Sequence, residues 1–408
     1  MKNIKMAVIG VGCRGMMILR DILINMEDVD VVAVCDEYAD RTEAAADLVL
    51  EKRGTRPFST VDHTQILNKD GIDAVFVATS WETHVEIAID ALKKGIPVAL
   101  EVGGAYSIES LWQLVHIQEA NGTPLMLMEN CCFGKQELLV TSLVRHGLFG
   151  EIVHCHGAYG HYLCEEVAGG NINRHYRLRN YLTRNCENYP THELGPIAKL
   201  LNINRGNRML SLVSVASKAV GMQDYIAQNA EKYPDLVGKR FMQGDIVNTL
   251  ITCADGSTIS LRLDTTLPRS YSREFTVRGT RGMYEQNTHT VYLAGEREYF
   301  DTLRFYREAI GNAERFEAQY LPAEWKNLTD EEIRKGHGGM DGIEFRVFVD
   351  CLKNNKPMPI DVYDAAAWMS VTALSEASVA AGGAVQAIPD FTSGKWTRRI
   401  PADVVAFD

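Results

Sequence analysis

A short apolar run, Met6-Ala7-Val8-Ile9, leads without interruption into Gly10-Val11-Gly12-Cys13-Arg14-Gly15. Such a run reads as a buried strand that turns sharply into a helix. Gly10 permits the tight turn, Gly12 lets the backbone approach a pyrophosphate resting on the helix N-terminus, and Gly15 lets the helix lie close on the strand. A second strand, Val31 to Cys35, ends in Asp36, which is placed to accept both ribose hydroxyls of an NAD adenosine. No arginine immediately follows Asp36, and its carboxylate repels a 2′-phosphate, so NAD is expected rather than NADP. Gly10, Gly12, Cys13, Arg14, Gly15 and Asp36 are therefore the expected cofactor contacts.

The alternation of helix and strand continues as a parallel doubly wound sheet requires. Residues 39–52 read as a helix and 74–78 as a strand ending at Thr79-Ser80-Trp81-Glu82-Thr83-His84. Trp81 and His84 would then lie at the carboxyl edge of the sheet beside the cofactor, the alternative being a packing Trp and a structural His. A helix over 82–94, a strand over 97–100 closed by Glu101, a helix over 108–120 and a strand over 124–128 complete a dinucleotide-binding (Rossmann) domain, 1–128. Glu101 joins the expected cofactor contacts.

Beyond Glu129 the pattern changes. A helix over 135–145 is followed by strand-like stretches at 151–159, 246–253, 258–263 and 274–278. The turn Ala254-Asp255-Gly256 joins two of them, which predicts an open, mainly antiparallel sheet. Helices are predicted over 302–313, 342–354 and 365–381. The whole is an α/β chain, with residues 129–408 forming an α+β substrate domain.

The 408 residues suffice for two cores. A formal net charge of -11 argues against nucleic-acid or anionic-membrane partners. No apolar run approaches the roughly 20 residues that span a bilayer, and no signal peptide precedes the first strand, so a cytoplasmic protein is expected. Nine cysteines without C-x-x-C spacing read as reduced and mostly buried, and no metal site is expected. A homo-oligomer is expected.

The densest polar stretch lies between Arg174 and Arg205, and within it Asn188-Tyr189-Pro190-Thr191-His192-Glu193 stands out. Pro190 disfavours helix for Tyr189, and Thr191 is a natural N-cap for a helix through Leu201. Tyr189 and His192 would meet near that helix start. His titrates near neutrality, and together the pair can pass a proton to or from a sugar hydroxyl. The alternative is a buried capping network.

The N-terminal half resembles the glucose-fructose oxidoreductases and inositol dehydrogenases. Ordered blocks across the whole chain resemble glycoside hydrolase family 109: Tyr181-Leu182-Thr183-Arg184-Asn185, Tyr189-Pro190-Thr191-His192, Leu201-Asn202-Ile203-Asn204-Arg205-Gly206, His337-Gly338-Gly339-Met340-Asp341, and Asp361 to Trp368. The resemblance implies an NAD-dependent α-N-acetylgalactosaminidase. Glu129, Tyr159, Tyr189, His192 and Tyr271 match the family's active-site positions. On that basis His192, Tyr189 and Tyr159 would be catalytic, with Glu129 and Tyr271 orienting the sugar. The chain has Glu193 where the pattern usually has Gly, and Glu187-Asn188 where it has an Asp-Leu pair. The dehydrogenase relatives continue Glu-Lys-Pro where this chain has Glu101-Val102-Gly103, and Val102 cannot carry a proton. The expected activity is hydrolysis of a small-molecule glycoside by transient C3 oxidation, C2 deprotonation, elimination, water addition and re-reduction. A sugar or inositol dehydrogenase is the first alternative, an NAD-sensing regulator the second.

Overall fold

The computed structural model describes residues 3–296 and 309–407. They fall into two compact units. The first comprises Met1–Gly134, Ala323–Ala366 and Asp403–Val405; the second comprises Lys135–Pro322, Ala367–Ala402 and Ala406–Asp408.

The first unit is built on strands β1 (Ile4–Ile9), β2 (Val29–Cys35), β3 (Phe58–Thr60), β4 (Ala74–Val77), β5 (Val98–Glu101) and β6 (Leu125–Met128). All pair in parallel in the order β3-β2-β1-β4-β5-β6. Both faces of such a sheet are covered, which is why β4 reads as an unbroken apolar run whose four residues are all fully buried. The strand order reverses between β1 and β4, and ligands of open parallel sheets bind beyond the carboxyl ends at that point. Short β3 was not foreseen, because Phe-Ser-Thr is too brief a run and pairs on one side only. A late stretch of chain completes this unit. Helix Met340–Lys353 sets Phe345 edge-on to Phe76, with ring centres 5.2 Å apart, and Leu127 N–H donates to the Ile360 carbonyl. The ring pair contributes about 1 kcal/mol beyond its buried area.

In the second unit β7 (Ile152–Gly160), β8 (Met209–Ala216), β9 (Ile246–Cys253), β10 (Thr258–Asp264), β11 (Thr276–Gly279), β12 (Gly282–Glu285), β13 (Thr290–Leu293) and β14 (Gln386–Ala387) form one sheet, ordered β13-β12-β11-β7-β10-β9-β8-β14. Along β9 buried and exposed residues alternate, so one face is covered. Helix Thr191–Leu200 packs there, and Gly157 of β7 makes room for it: a Cβ at Gly157 would lie 2.7 Å from that of Glu193. The sheet is mainly antiparallel as expected, but β7 and β10 pair in parallel. The helical connection after β7 carries the chain to the far side, and the β8-β9-β10 meander then returns beside β7 in the same direction. The β9–β10 turn forms as expected, with Gly256 at φ +92° and the Asp255 carboxylate accepting the Ser257 N–H.

Predicted helices at 342–354 and 365–381 are observed as Met340–Lys353 and Val362–Ala380. Of the helix predicted over 302–313, residues 302–308 lie outside the described residues, and a short helical turn spans Asn312–Phe316. All nine cysteines are free thiols, and eight are buried, Cys13 being exposed. Among the described residues no helix is long and apolar enough to cross a membrane.

Candidate cofactor and substrate sites

In the first unit the glycine turn is fixed by close approach. Gly10 has φ +94°, and a Cβ there would lie 2.6 Å from the Ala78 carbonyl at the end of β4. A Cβ at Gly15 would lie 1.9 Å from the Gly10 carbonyl oxygen. Gly12 caps helix Cys13–Asp21 without a side chain, which leaves the first-turn N–H groups to an anion. Asp36 accepts the Val11 N–H at 2.9 Å and the Tyr38 N–H at 3.1 Å. Burial raises its carboxyl, while those N–H groups and the Arg41 guanidinium pull the other way. A carboxylate has about four lone-pair positions, so acceptor capacity remains for ribose hydroxyls. Arg41 stands 3.8 Å from Asp36 and 3.4 Å from where a Gly12 Cβ would sit. It is five residues beyond Asp36 in sequence and was not foreseen. These residues fit a dinucleotide with its pyrophosphate on the turn.

Arg14 and Glu101, both expected near the cofactor, are joined at 2.6 Å. Arg14 also forks onto Asp341 at 2.7 and 3.1 Å, and Asp341 accepts Asn130 Nδ2 at 2.8 Å and lies 2.9 Å from His337 Nδ1. Burial works to raise the Asp341 carboxyl, but Arg14 and His337 outweigh it and hold it well below the usual carboxylate range. Neighbouring Glu344 is pushed far up, first by complete burial and then by Asp341 and Glu101. Glu101 also accepts the Val102 N–H. Glu129 is fully buried, and its carboxylate accepts the Cys131 N–H at 3.0 Å. Trp81 is almost wholly buried and His84 entirely so. Both rings lie against Gly103, and burial pushes the His84 imidazole down to about 4, which keeps it neutral at pH 7.

The second unit gathers the expected catalytic residues. Tyr159 comes from the end of β7; Tyr189 precedes helix Thr191–Leu200 and His192 lies in its first turn. Ring centres are 4.7 Å apart for Tyr159–Tyr189, 4.7 Å for Tyr189–His192 and 5.6 Å for Tyr159–His192. Burial pushes the Tyr159 phenol far up, with Arg177 opposing. Arg177 lies 4.8 Å over the Tyr189 ring and pairs with Glu166 at 2.8 Å. Tyr271 is half exposed and reaches the group through His161, 5.1 Å between ring centres. Arg273 donates to its hydroxyl at 3.2 Å and is itself anchored on buried Glu137 at 2.6 Å.

Arg177 and His161 were missed. Arg177 lies inside the polar stretch singled out, and His161 is two residues past Tyr159, the spacing that puts strand neighbours on one face. Thr191 does not cap its helix. Pro190, at φ -71° and ψ -20°, is already helical, and its carbonyl accepts the first intrahelical bond from Leu194. The helix starts one residue early because the fixed proline φ suits that place. Pro196 in turn has no N–H to offer the His192 carbonyl.

Glu187 is fully buried, and burial pushes its carboxyl up to about 8 against the pull of the Tyr189 and Leu263 N–H groups. The folded chain therefore keeps a proton that the unfolded chain releases above its ordinary value of 4.5. Stability should fall as pH rises through that window, by up to about 1.4 kcal/mol per pH unit, on the order of 2–4 °C in Tm. Glu187→Gln should flatten the loss between pH 5 and pH 8. Thermal melts of the two proteins that stay parallel across those pH values would refute the assignment.

Residues 4–128 match the family described as "Oxidoreductase family, NAD-binding Rossmann fold". Residues 133–398 match "Glycosyl hydrolase 109, C-terminal domain". The chain is 35% identical to a glycosyl hydrolase family 109 protein of Stenotrophomonas maltophilia, covering 100% of this chain and 92% of that one. It is 34% identical to an alpha-N-acetylgalactosaminidase of Tannerella forsythia, covering 98% and 88%. A solved levoglucosan dehydrogenase in complex with NADH and levoglucosan shares the fold, with a TM-score of 0.70 at 18% identity over 95% of this chain and 100% of that chain. The two family matches and the full-length relatives thus define an NAD-dependent glycoside hydrolase. The chain belongs to glycosyl hydrolase family 109.

Proposed function

We propose that this protein hydrolyses α-N-acetylgalactosaminides by transient oxidation of the sugar at C3. The reading is carried by the packing of Tyr159, Tyr189 and His192 into one cluster of three proton-handling side chains. The relative from Tannerella forsythia, an alpha-N-acetylgalactosaminidase, supports the sugar. Residues 1–128 serve the cofactor and 129–408 the substrate. Bound NAD supplies a reversible hydride acceptor, so that the C3 alcohol passes to a ketone and back without net redox change. Gly10, Gly12, Cys13, Arg14, Gly15, Asp36, Trp81, His84 and Glu101 would hold it.

His192 with Tyr189 takes the C3 hydroxyl proton and later returns it. The C3 ketone acidifies the C2 hydrogen, which Tyr159 removes; the electron pair then expels the C1 substituent and water adds. Glu129 and Tyr271 orient the sugar. The free thiols support a reducing, cytoplasmic setting, and a homo-oligomer belongs to the same reading.

A plain dehydrogenase is the weaker reading, because Val102 follows Glu101 and carries no proton. Aryl α-N-acetylgalactosaminides should be cleaved by the NAD-loaded protein, and cleavage should stop when NAD is stripped. Steady NADH release with the glycosidic bond intact would establish the dehydrogenase instead.

A further inference from the structure

Two protons leave the sugar before the C1 bond breaks, one from the C3 hydroxyl and one from C2. His192 with Tyr189 serves the first. Tyr159, assigned to the second, is 4% exposed and flanked by the Tyr189 and His192 rings. Such a sealed phenol needs a partner to take its proton before it can act as a base.

The atom placed to do so belongs to His161. Its Nδ1 lies 3.2 Å from the Tyr159 hydroxyl oxygen, and the two rings meet edge to face at 5.8 Å. β7 ends at Gly160, but the His161 N–H still donates to the Asp264 carbonyl at 3.0 Å, which continues the pairing with β10. That extra rung holds His161 on the same face as Tyr159. The imidazole also packs on half-exposed Tyr271, which Arg273 and Glu137 hold in place. One side of the ring thus meets the sealed phenol, and the other meets a side chain in contact with water.

We infer that His161 is a positioning residue for Tyr159, drawing off the phenol proton so that the phenolate can take the C2 hydrogen of the oxidised sugar. The step balances as two transfers. The Tyr159 O–H bond breaks as an N–H bond forms at His161 Nδ1. The sugar C2–H bond then breaks as the O–H bond re-forms, and its electron pair passes into the enolate of the C3 ketone. Imidazolium His161 releases its proton to water. The inference rests on the function proposed above.

The test uses full-length, NAD-loaded His161→Ala with an aryl α-N-acetylgalactosaminide. Transient NADH formation in a single turnover should stay within about twofold of the unmodified protein, while steady turnover falls about a hundredfold, the scale of a lost proton-transfer group. The isotope effect of a C2-deuterated substrate should rise, and added imidazole should restore turnover. Should the variant show no thermal transition, His161→Gln, which keeps bulk but accepts no proton, should give the same split between steps. A parallel fall in both steps, an unchanged C2 isotope effect, or unchanged turnover would overturn the role of His161. An unmodified enzyme that cleaves the glycoside with neither transient NADH nor exchange at C2 would overturn the oxidation mechanism itself, and the inference with it.

Discussion

Turnover of His192→Ala falls about a hundredfold or more, the range for removing a positioned acid or base, while its melting temperature changes little. The expectation follows from where the side chain stands. His192 is only partly buried, in the first turn of its helix, and its backbone is fixed independently by Pro190 at the helix start. Losing the ring removes edge contacts with Tyr189 and Tyr159 but no sheet pairing. Tyr189→Phe is the sharper companion. It keeps the ring under Arg177 and against Tyr159, and deletes only the hydroxyl. Comparable losses of kcat in both variants, with intact thermal transitions, are the expected result. Full activity in both would remove the pair from the mechanism.

Hydrolysis in deuterated water places deuterium at C2 of the released sugar. Elimination cannot occur without breaking the C2–H bond, whereas displacement at C1 leaves that bond untouched, so the difference is all or none. Mass spectrometry of the released sugar reads it directly. NADH should not accumulate with turnover, and a thioglycoside should also be cleaved, because expulsion from an enolate needs little protonation of the leaving atom. Product carrying only protium at C2 would rule out oxidation and elimination, even in an active glycosidase.

Strands β4, β5 and β6 of the first sheet were legible because they are buried throughout and so read as apolar runs, and the glycine turn because its chemistry is local. Gly10 and Gly15 are fixed by contacts with Ala78 and with each other, within one strand–turn–helix unit and its neighbour. The second sheet was harder. β8 escaped notice because Ser211 and Ser214 break its apolar run. The parallel β7–β10 pair depends on a long helical excursion that no local pattern encodes. Tyr159, Tyr189 and His192 could be chosen from residue type and resemblance, but their contact is a product of packing. Glu193 shows why the departure from the family pattern could not be interpreted from sequence. Its Cβ packs on Gly157 of β7, two residues from Tyr159, where only a glycine leaves space. Thr191 was misread because a threonine after a proline looks like a cap, whereas the proline itself opened the helix.

The brace under the cofactor turn joins residues far apart in the chain. Arg14 lies in the first helix, but the carboxylate that takes its fork is Asp341, and the helix that carries Asp341 also packs Phe345 against Phe76 of β4. A ribosome has therefore released more than three quarters of the protein before the first-made fold can close. Until then the nascent first sheet must wait with one apolar side short of its cover, while strands β7 to β13 of the second sheet are already synthesised. The first sheet to be translated is thus closed by chain made after most of the second.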